Sequence, residues 1–331
     1  MAAEHSDQVD AVLARLRPRW QAIDPLLPEP SVPPAGCGGQ FTATAPSGGP
    51  PAAVGTCVHW TGQAGSLDLC WGAARQFRLA ARVAGPDVAG SLDQLLRAWH
   101  DHLAGQPDTD DEDTAAVLSW PSRDVEGVAA LLRHGLQPLA VVAARPISGL
   151  GAASAAPDGV RIRRAGPDDV DAVVRLEHEV VRYDANFVAV IDRPWAADAL
   201  REEAREALAA DEPWVWLAER DQDGEPVGVL NAQRPASAGW IAPLTGRAPV
   251  AYNLLTGVSA TERGGGIGAA LAARFHQQAE AADVAVTLLH YAQLNPRSMP
   301  FWSQQGYRPL WTIWEAHPAS ALWPVPSGLG D

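Results

Sequence analysis

The sequence predicts an α/β (α+β) protein with two domains, and three observations support this. The chain has 331 residues, of which 47% are hydrophobic, and this is enough apolar material for two cores. Apolar runs of strand length alternate with helical patterns along most of the chain. A run of small residues at 148–158, SGLGAASAAPD, has the composition of a linker. We therefore predict domains at 1–150 and 151–331.

The first half predicts helices and strands separated by Pro-rich and Gly-rich loops. Val12, Leu13 and Leu16 recur at helical spacing, whereas prolines and glycines at 28–34 and 45–55 indicate surface loops. The remaining predicted elements are strands at 54–60, 67–71 and 77–83, a helix over 92–103, a strand at 115–120, a helix at 124–134 and a strand at 139–144.

The second half has a clearer order of elements. It predicts a strand at 160–164, helices at 167–182 and 196–210, strands at 214–219, 226–232 and 250–258, a helix to about 282, a strand at 284–290, a short helix after Asn295, and a strand at 310–315. The order is strand, helix, helix, three strands, helix, strand, helix, strand.

The junction after the strand at 250–258 has the pattern of an anion site. It reads Arg263, Gly264, Gly265, Gly266, Ile267, Gly268, Ala269 and then continues as a helix. Glycines leave backbone N–H groups unobstructed, and a helix N-terminus carries roughly half a positive charge. These features favour a phosphate or pyrophosphate, with Arg263 as a fixed cation. An ordinary glycine-rich turn without a ligand is the alternative.

The spacing of this junction separates it from two other phosphate loops. No Lys follows the glycines as a Walker loop requires, and the junction does not follow the first strand of a dinucleotide-binding unit. The pattern Arg-x-x-Gly-x-Gly after a strand resembles the pyrophosphate loop of the GNAT superfamily of acyl-CoA-dependent N-acetyltransferases. The order of elements in the second half is also the order of that family.

A second segment strengthens the resemblance. Members of the family commonly carry an Asn, then a small residue, an aromatic residue, and a Gly followed by another aromatic residue. The matching positions here are Asn295, Ser298, Trp302, Gly306 and Tyr307.

The first half resembles a second, degenerate copy of the same unit. HGLQPL at 134–139 parallels QGYRPL at 305–310, and Asp124 precedes Gly135 by the distance that separates Asn295 from Gly306. Its equivalent junction at 82–92 holds a Pro, which has no N–H, and an Asp, which repels phosphate. We expect no donor site there, and a tandem of GNAT-like domains whose C-terminal copy is catalytic.

The resemblance implies a mixed central sheet in each domain and a splayed pair of strands in the C-terminal one. It implies that acetyl-CoA is the cosubstrate and lies between those strands. Main-chain atoms of Thr256 and Val258 would then bond the pantetheine arm, and Arg263 to Ala269 would bind the pyrophosphate. Asn295, Ser298 and Trp302 would complete the cofactor site.

The sequence departs from the family at the residue expected to protonate the leaving thiolate. Many members place a Tyr where Trp302 stands, and an indole is not a usable acid. His290 and Tyr291 end the splayed strand and offer a base and a phenol, so they are the candidate catalytic residues. Both residue types also occur at strand ends for structural reasons.

Composition limits the remaining function classes. The formal charge of −14 argues against nucleic acid as a partner. Cys37, Cys57 and Cys70 lack metal-site spacing, and His100 and His102 face different ways on a helix, so no metal is expected. No signal peptide or membrane span is expected, and hence we expect a cytoplasmic monomer or homodimer.

Acidic residues cluster on the predicted acceptor side of the C-terminal domain. They either orient a cationic amine or form a solvated helix face, and they are Glu177, Glu179, Asp184 and Asp192. The function expected is N-acetylation of a small-molecule primary amine by direct attack. A protein amine as acceptor, or a non-catalytic acyl-CoA sensor, are the alternatives.

Overall fold

The computed structural model describes residues 2–35, 38–44, 50–147 and 155–323, with side chains from residue 7 onward. The chain forms two compact units, and neither is a single stretch of sequence. The first unit comprises Met1–Gly62, Ala73–Val141 and Pro309–Asp331, and the second comprises Gln63–Gly72 and Val142–Arg308. No helix in the described ranges has both the length and the apolar character needed to cross a membrane.

The described residues contain seven α-helices and eleven strands. The helices are α1 (Ala2–Ile23), α2 (Val88–Ala104), α3 (Val128–Arg133), α4 (Val170–Asp184), α5 (Ala196–Leu208), α6 (Ile267–Ala281) and α7 (Ser298–Gln304). The strands are β1 (Gln40–Thr44), β2 (Pro51–Thr61), β3 (Arg75–Val83), β4 (Thr114–Pro121), β5 (Gln137–Pro146), β6 (Val160–Arg164), β7 (Val215–Arg220), β8 (Pro226–Gln233), β9 (Val250–Val258), β10 (Val286–Ala292) and β11 (Arg308–Ala316).

The first unit is a mixed sheet with the strand order β1-β2-β3-β4-β11. Neighbouring strands are antiparallel except β3 and β4, which are parallel and are connected through α2. One side of α2 packs into the core of this unit, where Leu92, Leu95, Leu96 and Trp99 are fully buried. Their spacing of three and four residues is the helical period that the sequence predicts.

The second unit is a mixed sheet with the strand order β10-β9-β8-β7-β6. Only β9 and β10 are parallel, and α6 connects them. Helices α4 and α5 pack on one face of this sheet, around Leu176, Leu200 and Leu217. Helix α6 packs on the other face, where Phe275 and Trp216 are buried. The predicted mixed sheet flanked by helices is thus confirmed in both units.

The boundaries of the compact units differ from the single domain boundary predicted between residues 150 and 151. Residues 142–146 of β5 belong to the second unit, where the Ile147 N–H donates to the Ala285 carbonyl. Strand β11 from Pro309 onward belongs to the first unit. Most of the predicted linker, 148–154, lies outside the described residues, as do Cys37 and residues 45–49 of the loop predicted at 45–55. The roles assigned to the two predicted domains stay predictions.

Two short segments differ from the sequence-based expectation. The predicted strand at 67–71 is wrong, because Leu67–Cys70 is a 3-10 turn with Leu69 and Cys70 buried in the second unit. Strand β1 was not predicted, although Phe41 and Ala43 alternate with exposed residues. Its five residues are short, and the surrounding prolines and glycines indicate a loop.

The parallel strands β3 and β4 separate partway along their length. Their ladder runs from Arg75↔Thr114 to Leu79↔Leu118, and β3 then continues without this partner. At the start of α2 the Asp87 carboxylate accepts a hydrogen bond from the Gly90 N–H at 2.8 Å. A carboxylate from the chain therefore occupies the helix N-terminus where an anion would bind, which agrees with the expected lack of a donor site.

Candidate active site

The centre of the second unit is the point where β9 and β10 stop pairing. Their parallel ladder runs from Val250↔Val286 to Asn253↔Leu289 and then ends, although both strands continue. The other side of β9 has a register shift at the same place, since Asn231 pairs with Leu255 and Ala232 pairs with Asn253. Leu254 is therefore the extra residue of a β-bulge, which bends β9 away from β10. The predicted splayed strand pair is confirmed.

The Asn253 side chain stabilises the bulge from within. It is buried, and its amide contacts the Thr256 hydroxyl at 3.0 to 3.1 Å. In the orientation that satisfies both ends of the amide, its nitrogen donates to the carbonyl oxygens of Asn231 at 3.2 Å and Leu255 at 3.3 Å. The Asn253 side chain therefore links the backbones of β8 and β9 at the bulge.

Beyond the bulge, β9 presents main-chain groups to the gap. The Ser259 N–H donates to the Val227 carbonyl of β8 at 2.8 Å. Main-chain groups alternate along a strand, so those of Thr256 and Val258 point away from β8 and into the gap. These are the two residues predicted to bond the pantetheine arm. The Val258 carbonyl already accepts a hydrogen bond from Arg263 Nε at 2.9 Å. The groups that remain to bond a ligand in the gap are the Val258 N–H and the N–H and carbonyl of Thr256.

The glycine loop lies at the open end of this gap, between β9 and α6. Gly264 and Gly266 have φ values of +85° and +89°, in the left-handed region where glycine is favoured. Gly266 caps α6, and no side chain bonds to the first turn of that helix. A Cβ at Gly264 or Gly266 would meet no atom within 4 Å, so the side chains of the chain itself do not fill the loop.

The N–H groups of this loop are available to an external anion. Within the described residues, none of the N–H groups from Gly264 to Ala269 donates a hydrogen bond. The 15-residue helix α6 directs its positive end toward the same space. The loop therefore combines several unpaired donors with a helix dipole, which is the arrangement that binds phosphate and pyrophosphate.

Arg263 is held in a fixed position beside the loop. In addition to its Nε bond to Val258, its guanidinium lies 5.0 Å from the centre of the Tyr183 ring. Arg297 lies 5.2 Å from the centre of the same ring. Two guanidinium groups are thus placed around one aromatic side chain near the glycine loop, and both are cations suited to phosphate. The sequence analysis did not identify Arg297.

Asn295 makes hydrogen bonds within the protein at both ends of its side-chain amide, and its place in the cofactor site stays a prediction. Its side-chain nitrogen donates to Asp184 Oδ1 at 2.8 Å, and its oxygen accepts from the Arg297 N–H at 2.9 Å. The amide nitrogen therefore connects the segment before α7 to the end of α4, and the amide oxygen bonds within that segment. Burial raises the pKa of Asp184 to about 6, against the opposing effects of Asn295 and Arg263. Asn295 positions the segment that carries Arg297.

The α7 residues pack around the start of α6. Trp302 is buried, with its ring 4.7 Å from that of Phe301 and 5.3 Å from that of Tyr307. A Cβ at Gly268 would come within 3.3 Å of the Phe301 ring, which explains a small residue in the first turn of α6. Ser298 is the first residue of α7 and is half-buried. Phe301 is a further site residue that the sequence analysis did not identify.

His290 follows directly on the last paired position of β10. Its Nδ1 lies 2.9 Å from the Tyr252 hydroxyl, and Trp240 stacks parallel to the ring at 6.3 Å. Burial lowers the pKa of His290 to about 4, and burial also raises the pKa of Tyr252. The imidazole is therefore neutral at neutral pH and shares a proton with the phenol. This contact places Tyr252 in the site.

Tyr291 is not brought together with His290. Successive side chains on a strand point to opposite faces, so the two residues lie on different sides of β10. Tyr291 shares its face with Thr287, on the side where α6 packs, and is buried. Burial raises the pKa of its hydroxyl. The catalytic role predicted for Tyr291 stays a prediction, but a joint role with His290 does not follow from this geometry.

Comparisons with known proteins assign this site to a family. The family model described as the acetyltransferase (GNAT) family matches residues 182–307, a range that contains the gap, the glycine loop and α7. Residues 182–307 form a GNAT domain. A search of curated proteins found no match to this chain.

Solved structures extend the fold comparison beyond this domain. A GCN5-related N-acetyltransferase from Sphaerobacter thermophilus matches with a TM-score of 0.54 and 16% identity, covering 85% of this chain and 81% of that one. This share of the chain is larger than the second unit, so the likeness in fold includes part of the first unit. A tandem GNAT protein from the clavulanic acid biosynthesis pathway matches with a TM-score of 0.44 and 15% identity, covering 94% of this chain and 96% of that one.

The second unit also contains a buried acidic cluster that the sequence did not resolve. The side-chain nitrogen of Asn231 donates to Glu177 Oε1 at 2.9 Å and to Glu203 Oε2 at 2.8 Å. Glu177 is 1% exposed, so this residue is not on a solvated helix face. Burial raises the pKa of Glu177 well above its usual range, and burial raises that of Glu203 to about 7.

This cluster lacks a positive charge. Among the described residues, no basic side chain forms an ion pair with Glu177 or Glu203, and Glu177 Oε2 and Asn231 Oδ1 are buried without a hydrogen bond. Register places Asn231 and Gln233 on the face of the sheet that carries Tyr252, which pairs with Gln233. The sequence signal was present in Glu177 on α4 and Glu203 on α5, but only packing brings them together at Asn231.

Replacement of Gly266 by Val tests the glycine loop. The φ of +89° strains a β-branched residue by about 1 to 2 kcal/mol, and relief of this strain would reorient the loop N–H groups. We expect the affinity for coenzyme A to fall about tenfold or more in isothermal titration calorimetry.

Gly224→Val is the matched control. Gly224 has a φ of +72°, also with no atom within 4 Å of an added Cβ, but it lies in the turn between β7 and β8. It should show a similar loss of thermal stability and unchanged affinity. Wild-type affinity in Gly266→Val would contradict the assignment of the loop.

Glu203→Gln tests the acidic cluster through the pH dependence of stability. The folded-state pKa of about 7 lies above the ordinary value of 4.5, so the contribution of Glu203 to stability is fully present below pH 4.5 and is lost as pH rises through 7. Glu203→Gln should leave the melting temperature nearly unchanged at pH 5 and raise it at pH 8, by roughly 2 to 4 °C for each kcal/mol recovered.

Glu202→Gln on the same helix is the control, because Glu202 is exposed and its one ion pair among the described residues is with Arg205. Its effect should not depend on pH between 5 and 8. An equal effect of Glu203→Gln at both pH values would show that Glu203 ionises normally in the folded protein.

Proposed function

We propose that the GNAT domain binds acetyl-CoA between β9 and β10 and transfers its acetyl group to a primary amine of a small molecule. The observation that carries the proposal is the coincidence of the glycine loop with the end of the β9–β10 ladder. The loop offers unpaired N–H donors for a pyrophosphate, and the gap offers main-chain groups of Thr256 and Val258 for an amide-bearing arm.

The acidic cluster supports an amine as the acceptor. Two glutamate side chains meet at Asn231, and the described residues place no cation against them. Glu177 Oε2 and Asn231 Oδ1 are buried without a hydrogen bond, and an ammonium group would supply both charge and hydrogen bonds. Because Glu177 is almost completely buried, a slender amine fits this position better than a side chain on a protein surface. This favours a small-molecule acceptor over a protein amine.

Direct attack requires a proton to leave the amine and another to reach the thiolate. In the tautomer in which His290 Nδ1–H donates to the Tyr252 oxygen, His290 Nε2 has a free lone pair. Nε2 takes a proton from the attacking nitrogen, Nδ1–H passes one to the Tyr252 oxygen, and the Tyr252 hydroxyl proton goes to the sulfur. The 2.9 Å contact is short enough for this transfer. Trp302 has no part in it, since its indole is packed between Phe301 and Tyr307.

The first test is turnover with acetyl-CoA. Incubation with a panel of small primary amines and a panel of lysine peptides should give release of free coenzyme A thiol with at least one small amine, together with the acetylated product by mass spectrometry. Coenzyme A binding without thiol release on any acceptor would instead favour the non-catalytic sensor, and release only with peptides would favour a protein acceptor.

A pair of Tyr→Phe variants tests the proton path. Tyr252→Phe removes the hydroxyl that contacts His290, and we expect kcat to fall by a factor of about 10² to 10⁴ with unchanged affinity for coenzyme A. Tyr291→Phe is the matched comparison on the opposite face of the sheet and should retain kcat. The reverse result would assign the acid to Tyr291 and remove Tyr252 from the mechanism.

A further inference from the structure

The first unit contains a cluster of metal-ligating side chains that the acetyl-transfer proposal does not use. Cys57 and His59 are two residues apart on β2, so their side chains lie on the same face of the sheet. His102, in the last turn of α2, lies over that face. One potential ligand atom from each residue lies within 4.8 Å of the others. We propose that Cys57, His59 and His102 form a zinc-binding site.

The distances fit one metal ion shared by the three side chains. His59 Nε2 and His102 Nε2 are 3.5 Å apart. Tetrahedral zinc with Zn–N bonds of about 2.0 to 2.1 Å places two ligand nitrogens about 3.3 Å apart, so only small side-chain adjustments are required. A thiolate and two imidazoles are a ligand set suited to zinc, and they leave the fourth position for water or another small ligand.

Aromatic rings pack against both imidazoles. Phe77 lies against His59 with ring centres 4.9 Å apart, and Phe41 lies against His102 at 5.8 Å. Cys57 is fully buried and the two imidazoles are half-buried, which places the sulfur on the inner side and gives the ion a route through the imidazoles.

Without metal, the Nε2 atoms of the two imidazoles make only weak contacts. The Gly39 N–H donates to His102 Nε2 at 3.4 Å, near the limit for a hydrogen bond, and the two imidazoles face each other through their Nε2 atoms. On binding, Nε2 of each imidazole coordinates zinc, the Gly39 contact is lost, and the Cys57 thiol proton passes to solvent as the S–Zn bond forms. No oxidant or reductant is involved.

No metal is expected from the sequence because these residues show neither ligand spacing within one helix nor paired cysteines. Cys-x-His on a strand is a weak signal alone, and His102 comes from a separate element. The zinc proposal is independent of the acetyltransferase proposal, since its residues all belong to the first unit.

Cobalt(II) substitution tests the site with a readout independent of activity. The full-length chain, purified without an oligohistidine tag and treated with chelator, is titrated with Co²⁺ and then with Zn²⁺. We expect one cobalt per chain, visible bands typical of tetrahedral cobalt, and a near-ultraviolet thiolate charge-transfer band. Zinc should displace the cobalt and raise the melting temperature.

Variants assign the ligands. Cys57→Ser should abolish the thiolate band, and His59→Gln should lower the cobalt affinity about tenfold or more. His59 is half-buried and serves as the second variant should Cys57→Ser fail to fold. Cys70→Ser and His100→Gln are the controls, since they remove a thiol in the second unit and an imidazole beside His102 on α2; both should bind cobalt as the wild type does.

The proposal is overturned by three results. The first is no cobalt band at about a tenfold molar excess of metal over protein. The second is a thiolate band that survives Cys57→Ser, and the third is loss of binding in a control variant but not in His59→Gln.

Discussion

The GNAT domain depends on one interruption in a regular sheet, the bulge at Leu254 where β9 leaves β10. Parallel strands normally pair along their length, because unpaired buried backbone groups are costly. Here the ladder ends after Asn253↔Leu289, and the Asn253 amide satisfies carbonyl oxygens on both sides of the bulge. The interruption exposes main-chain donors and acceptors in the middle of a sheet. The proposed cosubstrate carries amides along its length and would bind there as a partial substitute for the missing strand contacts.

The glycine loop depends on this interruption. It begins where β9 ends, and α6 then carries the chain across the sheet to β10. Because β9 and β10 are parallel, the positive end of α6 lies at the end of the sheet where the gap is widest. Arg263 binds the last carbonyl of β9, and its guanidinium lies over Tyr183. Positive charge is thereby fixed beside the gap without a flexible lysine.

The two units have a similar arrangement of strands but differ in the residue that caps the helix between their parallel strands. In both, two parallel strands joined by a helix pair at the start and then separate. In the first unit, Asp87 caps its own helix and holds a negative charge where a phosphate would lie. In the second unit, Gly266 caps the helix without a side chain. The cap residue, which is Asp87 in the first unit and Gly266 in the second, therefore explains why anion binding is proposed only for the second unit.

The sequence by itself determined the order of elements in the second half, the glycine loop and its likeness to the GNAT family. These features depend on local patterns, namely the strand and helix periods, glycine at positions of positive φ, and the spacing of Arg263 to Gly268. It also determined that Trp302 does not act as an acid, because that follows from the side chain alone.

Only the tertiary structure decided which side chains meet. The pairing of Tyr252 with His290, the separation of His290 from Tyr291 and the burial of Glu177 beside Asn231 depend on the register of three strands. A register shift of one residue reverses the face of every later side chain, and the bulge at Leu254 is such a shift. The assignment of 142–146 to the second unit and of 309–316 to the first is likewise decided by long-range packing. Both segments have the local pattern of ordinary apolar strands. Sequence patterns report which residues prefer a strand, whereas the partner of that strand is decided by the packing of the whole chain.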